Sequence, residues 1–288
     1  MLIGLQLFDG DPAATRRQKL AADALLGIKG VMPVNLQFHD GAPREHAGIE
    51  TAAVLTGDSI KTTGAPRGSV QRKPITREVF DVLASLAGAS GFEYFACINA
   101  DIVVTAHVLA RVAETRCQTY AISRADVDDA ARPQAPTLLT AGQDMFVVHV
   151  DWWRRNRWRF RPYIMGEMCW DVVYTATMMC HSNGMILNRE PLIVHERHAP
   201  TWHAPTPAAR FNGMLAALDA RYFSIWCRYY FALEAARARR ASVEQESQLR
   251  HEYLTWRPSG SDAVRQAARA VKARVNYYRL KRSWASAA

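Results

Sequence analysis

Gly91 to Val104 reads GFEYFACINADIVV, and the way this stretch divides decides the fold class. Tyr94 to Ile98 is a short apolar run with the content of a buried strand. Asn99, Ala100 and Asp101 interrupt it before apolar residues resume at Ile102. A carboxylate thus falls at the carboxyl end of a strand. In an open α/β sheet ligands bind in the crevice outside those ends, so Asp101 stands where a metal or a nucleotide would be held.

Upstream, Leu2 to Phe8 reads as a first strand closed by Asp9-Gly10-Asp11-Pro12. Pro12 and the helical spacing of Leu20, Ala21, Leu25 and Leu26 predict a helix to about Gly27 or Gly30. Val34 to Phe38 and Ala52 to Leu55 read as two more strands, and this β-α-β-β opening favours a layered α/β domain. Ser59 to Pro74 is rich in Gly, Pro, Ser and Thr and carries Lys61, Arg67, Arg72 and Lys73. It is either a solvated loop or a phosphate grip, since Arg and Lys supply charge-assisted donors. Arg72 and Lys73 immediately precede a predicted helix, Thr76 to about Leu86, whose N-terminus also favours anions.

Downstream, Val108, Leu109 and Val112 predict a helix and Gln118 to Ile122 a strand, while Arg124 to Pro136 reads as a polar loop. Its Asp126, Asp128 and Asp129 lack the pattern of a calcium loop and are expected to be solvated. A strand from Met145 to Val150 follows Gly142-Gln143-Asp144. The next segment, DWWRRNRWRFRPY from Asp151 to Tyr163, interleaves basic and aromatic residues as single-stranded nucleic-acid sites and carbohydrate sites both do. Gly166-Glu167 leads into a helix reaching Met179. Strands at Met185 to Leu187 and Leu192 to Val194 precede His195-Glu196-Arg197-His198, with Trp202 and His203 beyond. A zinc-protease H-E-x-x-H would need histidine at 199, where the chain has alanine. Two histidines three apart after a strand can still offer a metal ligand alongside Asp101.

The chain has 288 residues, 49% of them hydrophobic, which suits one main domain with an extension. We place the boundary at 206/207, because from Ala208 onward long helical patterns take over: Met214, Leu215, Leu218, Tyr222, Ile225, Trp226 and Tyr229 recur at three and four. The break RPSGS (Arg257 to Ser261) precedes a last basic helix, Ala263 to about Trp284. This region 207–288 is expected to pack on the core, to form a homodimer, or to lie on an acidic membrane surface. Cys97, Cys117, Cys169, Cys180 and Cys227 form no C-x-x-C pair and are expected to be reduced core residues. The N-terminus lacks a basic segment before its apolar residues, and Arg228 breaks the aromatic stretch Tyr222 to Leu233. Neither a secretory signal nor a membrane span is expected, and the expected location is the cytoplasm, in peripheral contact with the membrane at most. The net charge of +9 implies anionic partners without choosing among them. No G-x-G-x-x-G follows the first strand, and neither G-x-x-x-x-G-K-[ST] nor G-x-S-x-G occurs, which disfavours dehydrogenase, P-loop and hydrolase readings.

Four motifs in order resemble bacterial glycosyltransferases of the GT-A fold, of the kind found in polysaccharide gene clusters. Arg72-Lys73-Pro74 leads a helix into INADIVV, an N-x-D-I variant of the D-x-D motif. Then come GQDMF (Gly142 to Phe146), GEMCWD (Gly166 to Asp171) and VHERH (Val194 to His198). The resemblance covers roughly residues 1 to 205. It implies an α/β mixed open sheet flanked by helices, and transfer of a sugar from a nucleotide-sugar donor to a glycan or lipid-linked acceptor. The implied cofactor is a divalent metal, Mn²⁺ or Mg²⁺, which neutralises charge on the departing diphosphate. Asp101 would be its direct ligand, completed by His195 or His198, and Asn99 would meet the ribose or a bridging water. Phe8, Asp9, Arg72 and Lys73 would join Asn99 and Asp101 in holding the donor. An inverting enzyme needs a base on the acceptor side, and Asp171 or Glu167 is the expectation, with Asp144 behind them. Other readings are a nucleic-acid-binding protein using Trp152 to Arg161 and the C-terminal helices, or a nucleotidyltransferase.

Overall fold

The computed structural model describes residues 1–65, 71–132, 138–198, 206–255, 257 and 259–285. Arg67, Trp202 and His203 lie outside the described residues. The strands are β1 (Leu2–Leu5), β2 (Met32–Phe38), β3 (Glu50–Leu55), β4 (Tyr94–Ile98), β5 (Ile102–Val104), β6 (Thr119–Val127), β7 (Leu138–His149), β8 (Met185–Leu187) and β9 (Ile193–Glu196). The helices are α1 (Pro12–Leu26), α2 (Ser59–Thr63), α3 (Thr76–Ala89), α4 (His107–Thr115), α5 (Val150–Asn156), α6 (Trp170–His181), α7 (Pro207–Leu218), α8 (Ala220–Ala238), α9 (Val243–Leu254) and α10 (Gly260–Ala285). Two compact units result. The first comprises Met1–Gly57, Arg77–Phe160 and Ser182–His203, and the second Asp58–Thr76, Arg161–His181 and Ala204–Ala288. The second unit thus joins the C-terminal segment to two earlier ones.

In the first unit the strands form one mixed sheet in the order β3-β2-β1-β4-β7-β6-β9-β5, with β8 beside β6. Strands β1 to β4 run parallel where they pair, β7 runs antiparallel to both β4 and β6, and β5 antiparallel to β9. Asp11 caps α1 by accepting from the Ala14 N–H at 2.7 Å, with Pro12 in the first turn. β1 is shorter than the sequence suggests. Past Leu5 the backbone pairs with side chains instead of a strand: Leu7 N–H donates to Asn35 Oδ1 at 3.0 Å and Phe8 N–H to Gln18 Oε1 at 2.9 Å. β6 is longer than the sequence suggests, because β9 offers it a ladder through Ala125, Asp126 and Val127.

Alternate side chains of the central strands feed two core layers, as the strand period of two requires. Ala96 and Ile98 of β4, with Met145 and Val147 of β7, join Ile3, Ala22, Leu25, Val108 and Val112 on the face covered by α1 and α4. Phe95 and Phe146 enter an aromatic cluster on the other face. There the Phe80 ring of α3 lies 5.7 Å from Phe95 and 5.1 Å from Trp153 between centroids, and Trp153 lies 4.9 Å from Phe160. A Cβ on Gly4 would meet Leu83 Cδ2 at 2.2 Å, so the glycine lets α3 close onto β1. This layer corrects the nucleic-acid reading of the basic aromatic segment. Trp152, Trp153 and Phe160 are core residues with at most 2% exposure, so their rings cannot stack on bases; Trp158 alone among the segment's tryptophans is exposed.

The second unit is helical. Asn212 of α7 is fully buried and clamps Ile164, accepting from its N–H and donating to its carbonyl, both at 2.8 Å. Asp219 accepts from Arg161 Nε at 2.7 Å and from the Tyr163 hydroxyl at 3.0 Å. Phe211 of α7 and Tyr277 of α10 meet at 5.4 Å between ring centroids. No described helix is long and apolar enough to cross a membrane.

Candidate active site

β1 and β4 are parallel neighbours, with Gly4 opposite Cys97, so the loops that leave them emerge at the same sheet edge. Phe8 and Asp9 follow β1; Asn99 and Asp101 follow β4. The β1 loop is held by buried amides. Gln37 Nε2 donates to the Leu7 carbonyl at 2.8 Å, and Gln18 Nε2 to the Phe8 carbonyl at 3.1 Å. Phe8 and Asp9 themselves are exposed, and Asp9 is ion-paired with Arg44.

β9 lies between β5 and β6, and His195 registers with Ile102 of β5 on one side and with Asp126 of β6 on the other. Asp101 stands one residue before Ile102. The register therefore collects side chains nearly a hundred residues apart. His198 Nε2 lies 3.2 Å from Asp101 Oδ2, His195 Nε2 lies 3.7 Å from the same oxygen, and the two Nε2 atoms are 3.1 Å apart. His195 is buried, Asp101 and His198 partly so.

Behind these residues lies a second set of charges. His195 Nδ1 donates to Asp126 Oδ1 at 3.0 Å. Arg124 donates from Nε to Asp126 at 3.0 Å and from Nη1 to Asp144 at 3.3 Å, and Asn99 Nδ2 donates to Asp144 Oδ1 at 2.9 Å. Burial raises the Asp101 carboxyl, but the hydrogen bonds and charges of His195 and His198 outweigh it and bring it down to about 2. Burial also raises Asp144, and there it prevails over the opposing charges of Arg124 and His195. Burial disfavours the charge on Arg124, but Asp144, Asp126 and Asp101 outweigh it, so it holds its proton more firmly than a free arginine.

The donor set fits a divalent cation. Asp101, His195 and His198 each present one ligand atom, all within 4.8 Å of one another. Bonds of about 2.1 Å place neighbouring ligands about 3.0–3.5 Å apart, close to the separations here. Each imidazole has its Nε2 turned inward, and Asp126 fixes the His195 tautomer from behind, as outer partners of metal-bound histidines do. Asp126 was legible only as a solvated acid. Its side chain is 13% exposed and committed to His195 and Arg124, which corrects that expectation. No sequence motif marks it, and the signal is its register against His195.

The second unit holds the other expected residues. Lys73 Nζ donates to Glu167 Oε1 at 2.9 Å and to the Gly166 carbonyl at 3.1 Å, while Arg72 Nε donates to Asp58 Oδ2 at 2.8 Å. Glu167 is buried and precedes α6, which starts only at Trp170. Glu167 therefore lies before the helix that carries Asp171. Asp171 stands partly exposed in the first turn of α6.

No family model matches the chain, and no curated protein matches it in sequence. Solved structures do. A structure of Staphylococcus aureus TarS 1-349 in complex with UDP-GlcNAc aligns with a TM-score of 0.50 at 10% identity, over 86% of this chain and 77% of that one. A longer TarS structure aligns with a TM-score of 0.46 at 11% identity, over 76% of this chain and 39% of that one. The glycosyltransferase GlyE of Streptococcus pneumoniae TIGR4 gives 0.36 at 10%, over 80% and 63%. The first of these, with the mixed open sheet and its flanking helices, establishes the architecture: the chain has a GT-A-like fold.

Proposed function

We propose that the chain is a glycosyltransferase that moves a sugar from a nucleotide-sugar donor to a glycan or lipid-linked acceptor, assisted by a divalent metal. The observation that carries this reading is the convergence of Asp101, His195 and His198 at the carboxyl edge of the sheet. A bound ion would neutralise, as a Lewis acid, the charge that grows on the departing diphosphate. Two imidazoles and one carboxylate suit Mn²⁺ better than Mg²⁺, which prefers oxygen ligands throughout.

The chain's own residues supply the rest. Asp126 fixes the His195 ring, and Arg124 ties Asp126 to Asp144, so the ligands keep their positions as charge develops. Phe8 and Asp9, on a loop pinned by Gln18, Asn35 and Gln37, and Asn99, which follows β4, hold the nucleoside end of the donor. Arg72 and Lys73 are the proposed phosphate contacts, each held by a carboxylate, Asp58 or Glu167. Asp171 is the proposed base for the acceptor hydroxyl in an inverting reaction. Glu167, engaged by Lys73, and Asp144, engaged by Arg124 and Asn99, are the alternatives. TarS, bound to UDP-GlcNAc in its structure, points to a UDP-sugar as the first donor to try.

A thermal-shift panel of nucleoside diphosphates and nucleotide sugars, with and without Mn²⁺, tests the reading. A ligand at about 100 times its Kd stabilises by roughly 2.7 kcal/mol, well within detection. We expect a shift for one nucleotide family that requires Mn²⁺. No shift for any of them, or a nucleotidylated product, would contradict it.

A further inference from the structure

Among the described residues, helix α10 packs on the second unit through one side. Tyr277 meets Phe211 and donates to the Thr62 carbonyl at 3.2 Å, and Gln266, Ala273 and Leu280 fall on that same side. On the opposite side Val264, Ala268, Val271, Val275 and Tyr278 recur at alternating steps of four and three, which draws one straight apolar stripe along a helix. The stripe is exposed: Val264 by 69%, Val271 by 64%, Val275 by 43% and Tyr278 by 53%. Arg265, Lys272 and Arg279 run along one margin of it, Arg274 and Lys281 along the other, all exposed.

The charge pattern selects the occupant. A second copy laid stripe to stripe would set these cations against their own counterparts, a like-charge arrangement that opposes pairing. An anionic surface meets both margins favourably. Arg265 is paired with Asp262 at 2.7 Å, and Lys272, Arg279, Arg274 and Lys281 are the further exposed cations that flank the stripe. Shallow valines, an interfacial tyrosine and flanking Arg and Lys are the features of a helix lying in the boundary of a bilayer. We infer that α10 docks this protein on a membrane surface rich in anionic lipid, with the valine stripe entering the headgroup boundary and the flanking Arg and Lys side chains meeting lipid phosphates. This goes beyond sugar transfer and does not depend on it.

Co-sedimentation of the full chain tests it, with vesicles of phosphatidylcholine alone and with about one-third phosphatidylglycerol added, the anionic lipid that basic segments sense. The protein should pellet with the anionic vesicles and stay in solution with the neutral ones. Val271→Ser/Val275→Ser and Lys272→Glu/Arg279→Glu should each weaken partitioning by about tenfold or more. All four side chains point to solvent, and unchanged circular dichroism would confirm that both variants fold. Three results would each overturn the proposal: no pelleting with anionic vesicles at low salt, variants that pellet like the parent, or tighter binding to an acidic amphipathic helical peptide than to the vesicles. A dimer in sedimentation velocity that the valine double variant abolishes would overturn it as well, in favour of self-association.

Discussion

His195 Nδ1 donates to Asp126 Oδ1 across 3.0 Å, and because an ionised carboxylate can only accept, the neutral ring keeps its proton on Nδ1 and turns its Nε2 lone pair toward Asp101 and His198. Asp126 is thus a positioning residue. Asp126→Ala should lower Mn²⁺ affinity by about 10- to 100-fold, the usual cost of losing such a partner, with the fold retained. Calorimetric titration of Mn²⁺ measures it, and an unchanged affinity would remove Asp126 from the site.

Asp101→Ala should abolish the Mn²⁺ dependence of donor binding and cost about 10²- to 10³-fold in turnover, the scale of one lost electrostatic stabiliser. Steady-state rates of sugar transfer, set beside the thermal midpoint of the variant, separate this loss from unfolding. Full activity in the folded variant would contradict the metal assignment.

Asp171→Asn should reduce turnover while donor binding survives, because a base acts on the acceptor and not on the nucleotide. The comparison is kcat against the Kd for the donor. A fully active variant would clear Asp171 and turn attention to Glu167 and Asp144.

Trp153→Ala should destabilise the protein by about 3–5 kcal/mol, as large core truncations do, because Trp153 is 1% exposed, packs on Phe80, Phe95 and Phe160, and donates to Asp81 at 2.9 Å. Denaturant unfolding reads this directly. A stable variant that had merely lost affinity for nucleic acid would restore the binding role that the sequence first suggested.

These tests follow the line between what the sequence disclosed and what it did not. Tyr94 to Ile98 was legible as a buried strand because length and apolar content are local properties, and the strand has those bounds. Asp101, His195 and His198 were legible as a candidate set because each follows or ends a strand. Asp126 was not, since the bond that gives it a role depends on β9 lying beside β6, and no local pattern encodes a parallel register between strands 69 residues apart. The tryptophans failed for a related reason. Trp152 and Trp153 sit among arginines in sequence, but the helix that carries them turns the indoles inward and Arg154 and Arg155 outward, and a one-dimensional reading mixes the two faces.

The central claim is that Asp101, His195 and His198 hold the metal that serves a nucleotide diphosphate. Electron paramagnetic resonance of Mn²⁺ titrated into the protein, with and without UDP, addresses it most directly. The account predicts one tight site in the parent chain, tightened further by UDP because coupled ligands affect each other equally, and lost in Asp101→Ala and His198→Ala. An equally tight site in both variants, or Mn²⁺ affinity indifferent to UDP and every other nucleoside diphosphate, would contradict it.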